Sequence, residues 1–167
     1  MPAKDQGVFQ DRYTIIPRVL VFATRGDDIL FIKGHPNKRL WANLYNGIGG
    51  HVEKGEDILS AARREFLEET GTELLDESLA AIVTVDTGEN IGIGMYVFTG
   101  TPSQDQLTPS VEGKLEWHPM ANIESLPLVE DLPRLLPKVF ARKPGGQPLY
   151  VHYFYNSSDE LEMEFTK

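Results

Sequence analysis

A glycine-rich turn that leads into an acidic helix constrains this chain more than any other feature. It lies in residues 50–72, which read GHVEKGEDILSAARREFLEETGT. Glu65, Glu68 and Glu69 follow the i, i+3, i+4 spacing that places side chains on one face of a helix. Like charges on one face repel each other, so a helix that only had to be soluble would carry interspersed lysines. Oxygen-rich clusters of this kind suit hard divalent cations such as Mg²⁺ or Mn²⁺.

The same stretch carries the signals of a helix start and a helix end. Asp57 is a suitable N-cap, and Gly71 suits the position just beyond the helix, where a left-handed backbone is common. Leu59, Ala62 and Phe66 recur at i, i+3 and i+7, opposite the carboxylates. The sequence therefore predicts a helix that buries one side and presents acidic groups on the other.

This run resembles the Nudix box, Gly-x5-Glu-x7-Arg-Glu-U-x-Glu-Glu-x-Gly-U, in which U is usually a bulky aliphatic residue. Phe66 and Thr72 stand at the two U positions. The resemblance implies a MutT-like Nudix hydrolase, from a family that cleaves nucleoside diphosphates linked to another moiety. It also implies an α/β fold, the Nudix-type α/β/α sandwich with a mixed, curved β-sheet. The fixed positions of the box are filled by Gly50, Glu56, Arg64, Glu65, Glu68, Glu69 and Gly71.

Length and composition fit one cytoplasmic domain. At 167 residues the chain can form one core but not two comfortable ones, so we expect a single domain over 1–167. It has no cysteine, which excludes a disulfide scaffold and a cysteine nucleophile and fits a reducing compartment. Neither a signal-peptide pattern nor a long apolar run is present, which argues against export and membrane insertion. The net charge of −9 argues against binding long nucleic acid, but not against a small polyphosphate.

The first half of the chain predicts several strands around the acidic helix. Tyr13–Thr24 is rich in β-branched residues, and its Pro17 indicates an edge strand or a bulge. Residues 1–12 are polar and unpatterned, and we expect a loose lead-in. Further strands are predicted at Ile29–Lys33, at Tyr45–Val52 with breaks at its glycines, and at Leu79–Asp86, Gly92–Thr99 and Leu115–Pro119.

The second half predicts a short helix and a closing hairpin. Asp131 is expected to cap a helix over 132–142, in which Pro137 should introduce a kink. Within 148–167 we expect two strands that pair as a hairpin. The whole pattern is a mixed sheet with helices on its faces, in line with the sandwich that the resemblance implies.

The resemblance assigns roles around the acidic helix. In Nudix enzymes the carbonyl of the residue before the box glycine joins the metal shell, and here that residue is Gly49. Arg64 is implied to position the acidic residues through ion pairing, and Glu56 to orient groups in the same supporting shell. The implied ligands of Mg²⁺, with Mn²⁺ as an alternative, are Gly49, Glu65, Glu68 and Glu69.

The general base has two candidates, because members of the family differ in this role. One is Glu68 on the helix. The other is Glu112, which lies in the loop before the Leu115–Pro119 strand, where MutT-like proteins often place another carboxylate. A loop glutamate beside Gly113 is also consistent with a simply solvated side chain.

The substrate side rests on residues outside the box. Residues 44–50, LYNGIGG, resemble the Trp-Asn-Gly-x-Gly-Gly stretch of MutT-like enzymes that hydrolyse oxidised purine nucleotides, which places Asn46 against the purine. Those enzymes also use an acidic pair before the last helix, where Glu130 and Asp131 stand. Asn46 can equally be a turn residue and Asp131 a helix cap. Candidate phosphate ligands are Arg18, Lys33, Lys38, Arg39 and His51, although a lone histidine is more often structural.

The sequence thus predicts a Mg²⁺-dependent pyrophosphohydrolase that converts a nucleoside triphosphate, such as an oxidised purine nucleotide, into monophosphate and pyrophosphate. The expected partner is a small nucleotide rather than long nucleic acid or a membrane, and the protein is expected to be a monomer or a homodimer. Two alternatives stay open. One is a Nudix hydrolase of ADP-ribose or sugar nucleotides, and the other is a catalytically silent Nudix module that senses nucleotides.

Overall fold

A computed structural model of the protein describes residues 2, 5–9, 11–37, 39–108, 111–143 and 145–166, so that Lys38 lies outside the described residues. The helices are α1 (Ile58–Thr70) and α2 (Leu132–Phe140), with a 3₁₀ helix at Met120–Ser125. The strands are β1 (Thr14–Arg25), β2 (Asp28–Gly34), β3 (Tyr45–Asn46), β4 (Ile48–His51), β5 (Leu74–Val85), β6 (Ile91–Pro102), β7 (Gly113–Pro119), β8 (Leu149–Tyr155) and β9 (Leu161–Phe165).

The strands form one mixed sheet in the order β3-β2-β1-β6-β5-β8-β9, with β4 paired to β1 and β7 paired to β2. The β1–β6 and β5–β8 pairs are parallel, and the other pairs are antiparallel. The antiparallel β1–β4 register places Arg18 opposite His51 and Leu20 opposite Gly49. Since directly opposite residues point to the same side of a sheet, these four residues share one face.

One helix covers each face of the sheet. Val19 and Val21 of β1 pack with Ala62 and Phe66 of α1 in one core cluster. The alternate residues Leu20 and Phe22 belong to a second cluster that contains α2. The α2 residues in that cluster are Leu132, Leu135, Leu136 and Val139, all buried. Alternate residues of β1 therefore pack into two core clusters, one on each face of the sheet. The predicted α/β/α sandwich with a mixed sheet is confirmed.

The bounds of α1 agree with the capping signals in the sequence. The Asp57 carboxylate accepts hydrogen bonds from the backbone N–H groups of Leu59 and Ser60 at 2.8 and 3.0 Å. Gly71 has a φ of 73° and donates its N–H to the Leu67 carbonyl, which ends the helix. The acidic residues of α1 are consequently held on a rigid element of known register.

The prediction of an edge strand or bulge at Pro17 holds only locally, because Pro17 lies beyond the last β1–β4 residue pair. Strand β1 lies inside the sheet and pairs with β6 over Thr14–Ala23 without a register shift. The Pro17 carbonyl accepts the Val52 N–H, just beyond the last β1–β4 residue pair. The N and C=O of one strand residue point to the same side, so the missing N–H of Pro17 faces the side where β4 ends. Proline is therefore tolerated in this strand because its position is a local edge on the β4 side.

Two further expectations differ from the structure. Strand β5 begins at Leu74 rather than Leu79, because a bulge with Asp76 at a φ of 51° keeps Leu74 and Leu75 paired with β6. Asp131 does not cap α2, since its side chain makes no capping hydrogen bond and is buried instead. Helix α2 ends at Phe140 and contains Pro137. Within the described part of the chain, no helix is long and apolar enough to cross a membrane.

Candidate active site

Arg64 is the centre of a hydrogen-bonded network on α1. Its Nη2 and Nε donate to the two carboxylate oxygens of Glu56 at 2.7 and 3.1 Å. Its Nη1 donates to Glu65 Oε1 at 2.9 Å and to Glu68 Oε2 at 3.3 Å. Nη2 also donates to the His51 carbonyl at 3.0 Å, which ties the helix to the end of β4. One guanidinium therefore relieves the repulsion between the carboxylates and fixes their positions.

Glu56 completes this network from the loop before α1. Its Oε1 accepts the Glu53 N–H at 2.8 Å in addition to its bonds from Arg64. The hydrogen bonds from Arg64 lower the pKa of Glu56, and the hydrogen bond to Glu56 is the main cause that raises the pKa of Arg64. Both groups thus stay charged at neutral pH. Glu56 orients Arg64, and Arg64 orients Glu65.

Gly50 provides the space that Glu65 occupies. A Cβ atom at position 50 would collide with the Glu65 carboxylate, and one at Gly49 would collide with the backbone of Val19. The two glycines therefore allow β4 to lie between β1 and the acidic helix at close approach. The carboxylate of Glu65 lies against the Gly49–Gly50 backbone as a result.

The three helix carboxylates have different surroundings. Glu69 is 9% exposed, whereas the side chain of Glu68 is 61% exposed and turns to Arg64. Glu69 lines a cavity of about 100 Å³ together with Gly49, Leu40 and Glu112, and we call it the acidic cavity. The topology thus brings Glu112, from the loop before β7, to the same cavity as the α1 residue.

These residues fit an oxygen-liganded divalent cation held by few protein atoms. Among the described residues, no group of three or more His, Asp or Glu side chains is close enough to hold a metal ion by itself. Mg²⁺ commonly binds through one or two carboxylates and keeps several waters, so such a cluster is not required. Glu65 against the Gly49–Gly50 backbone, with Glu69 in the acidic cavity, supplies hard donors of the kind that Mg²⁺ or Mn²⁺ prefers.

A larger cleft of about 530 Å³ lies next to the acidic cavity. Its polar lining includes Arg18, His51, Glu130 and Asp131, and its apolar lining includes Val85 and Met95. The two spaces share Trp41, Leu44, Asn46, Gly47 and Gly49. They are therefore joined at the glycine-rich β3–β4 segment, where little side-chain bulk separates them.

Asp131 is a buried carboxyl group in the large cleft. It is 9% exposed, and its Oδ2 accepts a hydrogen bond from the Tyr153 hydroxyl at 3.2 Å. Burial raises the pKa of Asp131 to about 6, and the neighbouring charge of Glu130 contributes to the increase. Asp131 can thus present either a carboxylate or a protonated carboxyl near neutral pH. The capping role considered from the sequence is replaced by a position facing the cleft.

Asn46 stands at the junction of the two spaces. Its side-chain oxygen accepts the Gly47 N–H at 2.8 Å. This bond orients the amide, so that its NH₂ group is left to donate to a ligand. The turn role and the binding role considered for Asn46 are therefore compatible in one geometry.

The candidate basic residues are not all in one place. Arg18 and His51 face each other across β1 and β4 at the large cleft, and the Arg18 Nε is buried without a hydrogen-bond partner. Lys33 lines neither the large cleft nor the acidic cavity, and its ammonium lies 5.0 Å from the centre of the Tyr45 ring. Its cation–π contact gives Lys33 a structural position.

Sequence reasoning missed the role of Tyr45 as a brace. Its hydroxyl donates to Glu116 at 2.8 Å, and Glu116 also contacts Lys114 and His118. The backbone N–H of Tyr45 donates to the Pro127 carbonyl, and the Tyr45 carbonyl accepts the Val129 N–H. These two bonds fix β3 beside the segment before Glu130. The alternating Lys114, Glu116 and His118 on β7 are the signal in the sequence, since they share one strand face. Trp41, in the loop before β3, was also missed.

Comparisons with known proteins agree with this fold and site. The NUDIX domain model matches residues 14–139. The Nudix hydrolase YvcI of Bacillus subtilis is 28% identical over 120 residues, which cover 69% of this chain and 73% of that protein. The oxidized purine nucleoside triphosphate hydrolase of Danio rerio is 40% identical over 67 residues, 40% of this chain and 36% of that protein. The crystal structure of the MutT protein from Bacillus halodurans has a TM-score of 0.75 at 23% identity and covers 90% of this chain and 97% of that chain.

The chain therefore belongs to the Nudix family, and its box residues lie on β4, in the loop that follows, on α1 and at Gly71 and Thr72 just beyond α1. Hydrolases of this family act on pyrophosphate bonds and generally use divalent metal ions. The structural similarity to a MutT protein, at 23% identity, shows the same fold.

Proposed function

We propose that this protein is a Mg²⁺-dependent pyrophosphohydrolase, with Mn²⁺ as an alternative ion, that converts a nucleoside triphosphate into a monophosphate and pyrophosphate. The observation that carries the proposal is the junction of the acidic cavity and the large cleft at Asn46, Gly47 and Gly49. A nucleotide has an anionic chain at one end and a planar base at the other. The joined space offers both kinds of contact, since Glu69 and Glu112 line the acidic cavity while the large cleft adds apolar walls, the basic residues Arg18 and His51, and the hydrogen-bonding pair Glu130 and Asp131.

The acidic cavity is where the phosphate chain would react. A bound divalent ion there would neutralise phosphate charge and acidify a water molecule. Glu65, Glu68 and Glu69 with the Gly49 carbonyl are the proposed ligands, and Arg64 and Glu56 keep the helix carboxylates in position. Water would attack one phosphorus and transfer a proton to Glu68 or Glu112. The phosphoanhydride bond between the α- and β-phosphorus atoms would break, giving the monophosphate and pyrophosphate.

Of the two candidate bases, the geometry favours Glu112. It lines the acidic cavity together with Glu69 and Gly49. The side chain of Glu68 is 61% exposed and turned to Arg64, and it does not line the acidic cavity. A kinetic comparison of Glu112→Gln and Glu68→Gln would decide between them.

The large cleft is where the nucleoside would bind. Asn46 would donate its amide N–H to the base, and Asp131 with Glu130 would read a second position on the same edge. Arg18 and His51 line the same cleft, where they can contact a phosphate oxygen. An oxidised purine suits this set because oxidation changes the donors and acceptors on the base edge. The partial similarity to an oxidized purine nucleoside triphosphate hydrolase supports this choice.

The setting that we propose is the cytoplasm, because a chain without cysteine fits a reducing compartment. The partner is a small nucleotide, since a net charge of −9 opposes binding to long nucleic acid. A monomer or a homodimer is compatible with the proposal, because every proposed contact to the substrate comes from one chain.

The test is a hydrolysis screen with Mg²⁺ and with Mn²⁺ over normal and oxidised nucleoside triphosphates, ADP-ribose and sugar nucleotides. We expect the highest kcat/KM for an oxidised purine triphosphate, with pyrophosphate as the second product. Glu69→Gln should lower kcat by about 10²–10⁴-fold without changing the circular dichroism spectrum. Glu73→Gln, an exposed site just beyond α1, is the matched control and should retain activity.

Three outcomes would redirect the proposal. Preference for ADP-ribose or sugar nucleotides would move the protein to another substrate class of the same family. If no member of the panel is hydrolysed, the proposed enzymatic activity is refuted. Nucleotide binding that persists in Glu69→Gln without metal would then favour a sensing module.

A further inference from the structure

We propose that Trp41 is the stacking platform for the nucleobase, a position that determines affinity for nucleotides over base-free polyphosphates. This inference rests on the proposed function, because it concerns the same site. Trp41 is the aromatic residue shared by the acidic cavity and the large cleft among the described residues that line them. It comes from the loop between β2 and β3 and not from the Nudix box.

The loop that carries Trp41 is anchored at both ends. Gly34 and Leu44 are joined by a backbone hydrogen bond of 3.0 Å, and Asn43 donates to the Gly34 carbonyl at the same distance. The Trp41 carbonyl accepts the Leu44 N–H at 3.1 Å. These bonds hold the loop beside Asn46, so the indole has a defined place at the junction of the two spaces.

The conformation and exposure of Trp41 are unusual for a residue whose role is packing. Its φ is 58°, in the left-handed region that bulky side chains rarely adopt. It is 46% exposed, whereas tryptophan is highly buried on average. An uncommon backbone conformation and an exposed indole are both costs, and neither is offset by burial in a core. A ligand that covers the ring would offset them, and strained residues often lie at ligand sites.

The chemistry of the junction selects a flat aromatic ligand. An indole offers a large π-face, and stacking of a base on an aromatic side chain contributes about 1–3 kcal/mol per base with little dependence on base identity. Asn46 and Asp131 line the same cleft and can distinguish the edge of the base. Trp41 would thus contribute affinity for any nucleobase, and Asn46 and Asp131 would distinguish one base from another.

Tryptophan fluorescence tests the contact directly. The chain has two tryptophans, and Trp117 on β7 lines neither the cleft nor the cavity but lies under the Arg25 guanidinium at 4.5 Å. In Trp117→Phe the remaining emission comes from Trp41. We expect a purine nucleoside monophosphate to quench it saturably and inorganic tripolyphosphate to leave it unchanged. Equal quenching by both probes, or by neither, overturns the assignment.

Steady-state kinetics supplies a second readout. Trp41→Gly removes the ring and retains a residue for which a φ of 58° carries no Cβ penalty, so the loop can keep its path. We expect KM for nucleoside triphosphates to rise about 5–150-fold, by similar factors for adenine and guanine, as the stacking contribution converts to affinity. Inhibition by tripolyphosphate should change less than about twofold, and Trp41→Phe should recover most of the loss.

The outcomes separate this inference from the proposed function. If tripolyphosphate inhibition weakens as much as nucleotide binding, the loop is structural and the stacking role is refuted. An unchanged KM in Trp41→Gly refutes it as well. A wild-type protein that hydrolyses no nucleoside triphosphate refutes the proposed function alone, because quenching by the monophosphate still tests Trp41.

Discussion

Replacing Asp131 with asparagine should stabilise the protein at neutral pH by an amount that falls as the pH is lowered. The carboxyl is 9% exposed, and burial raises its pKa to about 6 from an ordinary value of 3.8. A raised carboxyl pKa means that the folded state holds its proton more tightly than the unfolded state does. The free energy of unfolding of the wild type therefore decreases as the pH rises from 3.8 to 6. Above pH 6 the destabilisation by the buried carboxylate no longer grows.

The magnitude follows from the size of the shift. A difference of about 2.2 pKa units at 1.36 kcal/mol per unit corresponds to about 3 kcal/mol at pH 7.5 and to about 1.5 kcal/mol at pH 5. Asparagine has no charge to bury, and its amide oxygen can still accept the hydrogen bond from Tyr153. The free energy of unfolding of Asp131→Asn relative to wild type should thus be about 1.5 kcal/mol more favourable at pH 7.5 than at pH 5.

Urea denaturation of both proteins at several pH values between 5 and 8 measures this difference. Carboxylates far from the site cancel in the subtraction, and Tyr153, whose pKa burial raises well above its ordinary value, stays protonated in both proteins over this pH range. Asp27→Asn, at the exposed β1–β2 turn, shows the effect of losing a carboxylate outside the cleft. A relative stability of Asp131→Asn that does not change with pH would show that the carboxyl is solvated, and the reasoning from burial would be refuted.

Three further substitutions test the supporting geometry by steady-state kinetics and urea denaturation. Gly50→Ala should lower kcat at least tenfold with little change in the urea midpoint, because the added methyl displaces the Glu65 carboxylate. Arg64→Lys keeps the positive charge but loses the paired guanidinium hydrogen bonds to Glu56, so kcat should fall at least tenfold. Unchanged activity would contradict a positioning role for Arg64. Tyr45→Phe removes the hydrogen bond to Glu116 and should lower the free energy of unfolding by about 1–2 kcal/mol while kcat/KM stays within twofold.

The acidic helix could be predicted closely because its signals are local. Asp57, Gly71 and the apolar spacing through Phe66 act within a few residues along the chain, and the structure has α1 at Ile58–Thr70 between that cap and that glycine. The conflict between like charges is also resolved locally, by Arg64 and the preceding loop. Helix capping and ion pairing at short separation leave a readable pattern in one sequence.

The lining of the large cleft depends on long-range pairing, which leaves a much weaker pattern. Asp131 has the local sequence of a helix cap, yet its side chain turns to Tyr153 on β8 because β8 pairs with β5 in parallel. Nothing within a few residues of Asp131 specifies that partner. Tyr45 likewise pairs its hydroxyl with Glu116, which is 71 residues away. The residues proposed to read the base are therefore set by sheet order, which the local sequence does not encode.

This difference between local and long-range signals bears on substrate choice as well as on prediction. The Nudix box can keep one geometry in chains with different sheets around it, because Arg64 contacts both Glu56 and Glu65 within a single turn-and-helix unit. The walls of the large cleft come mostly from β1, β3, β5, β6, β8 and β9 and from the loop that carries Trp41, although β4 also lines it at Gly49, Gly50 and His51. Changes in strand ends and loops can therefore alter the bound base without disturbing the acidic helix. Under the proposed function, the reaction and the substrate depend on largely different parts of the chain, so variants at Trp41 and Asp131 should change KM while variants at Arg64 and Glu69 change kcat.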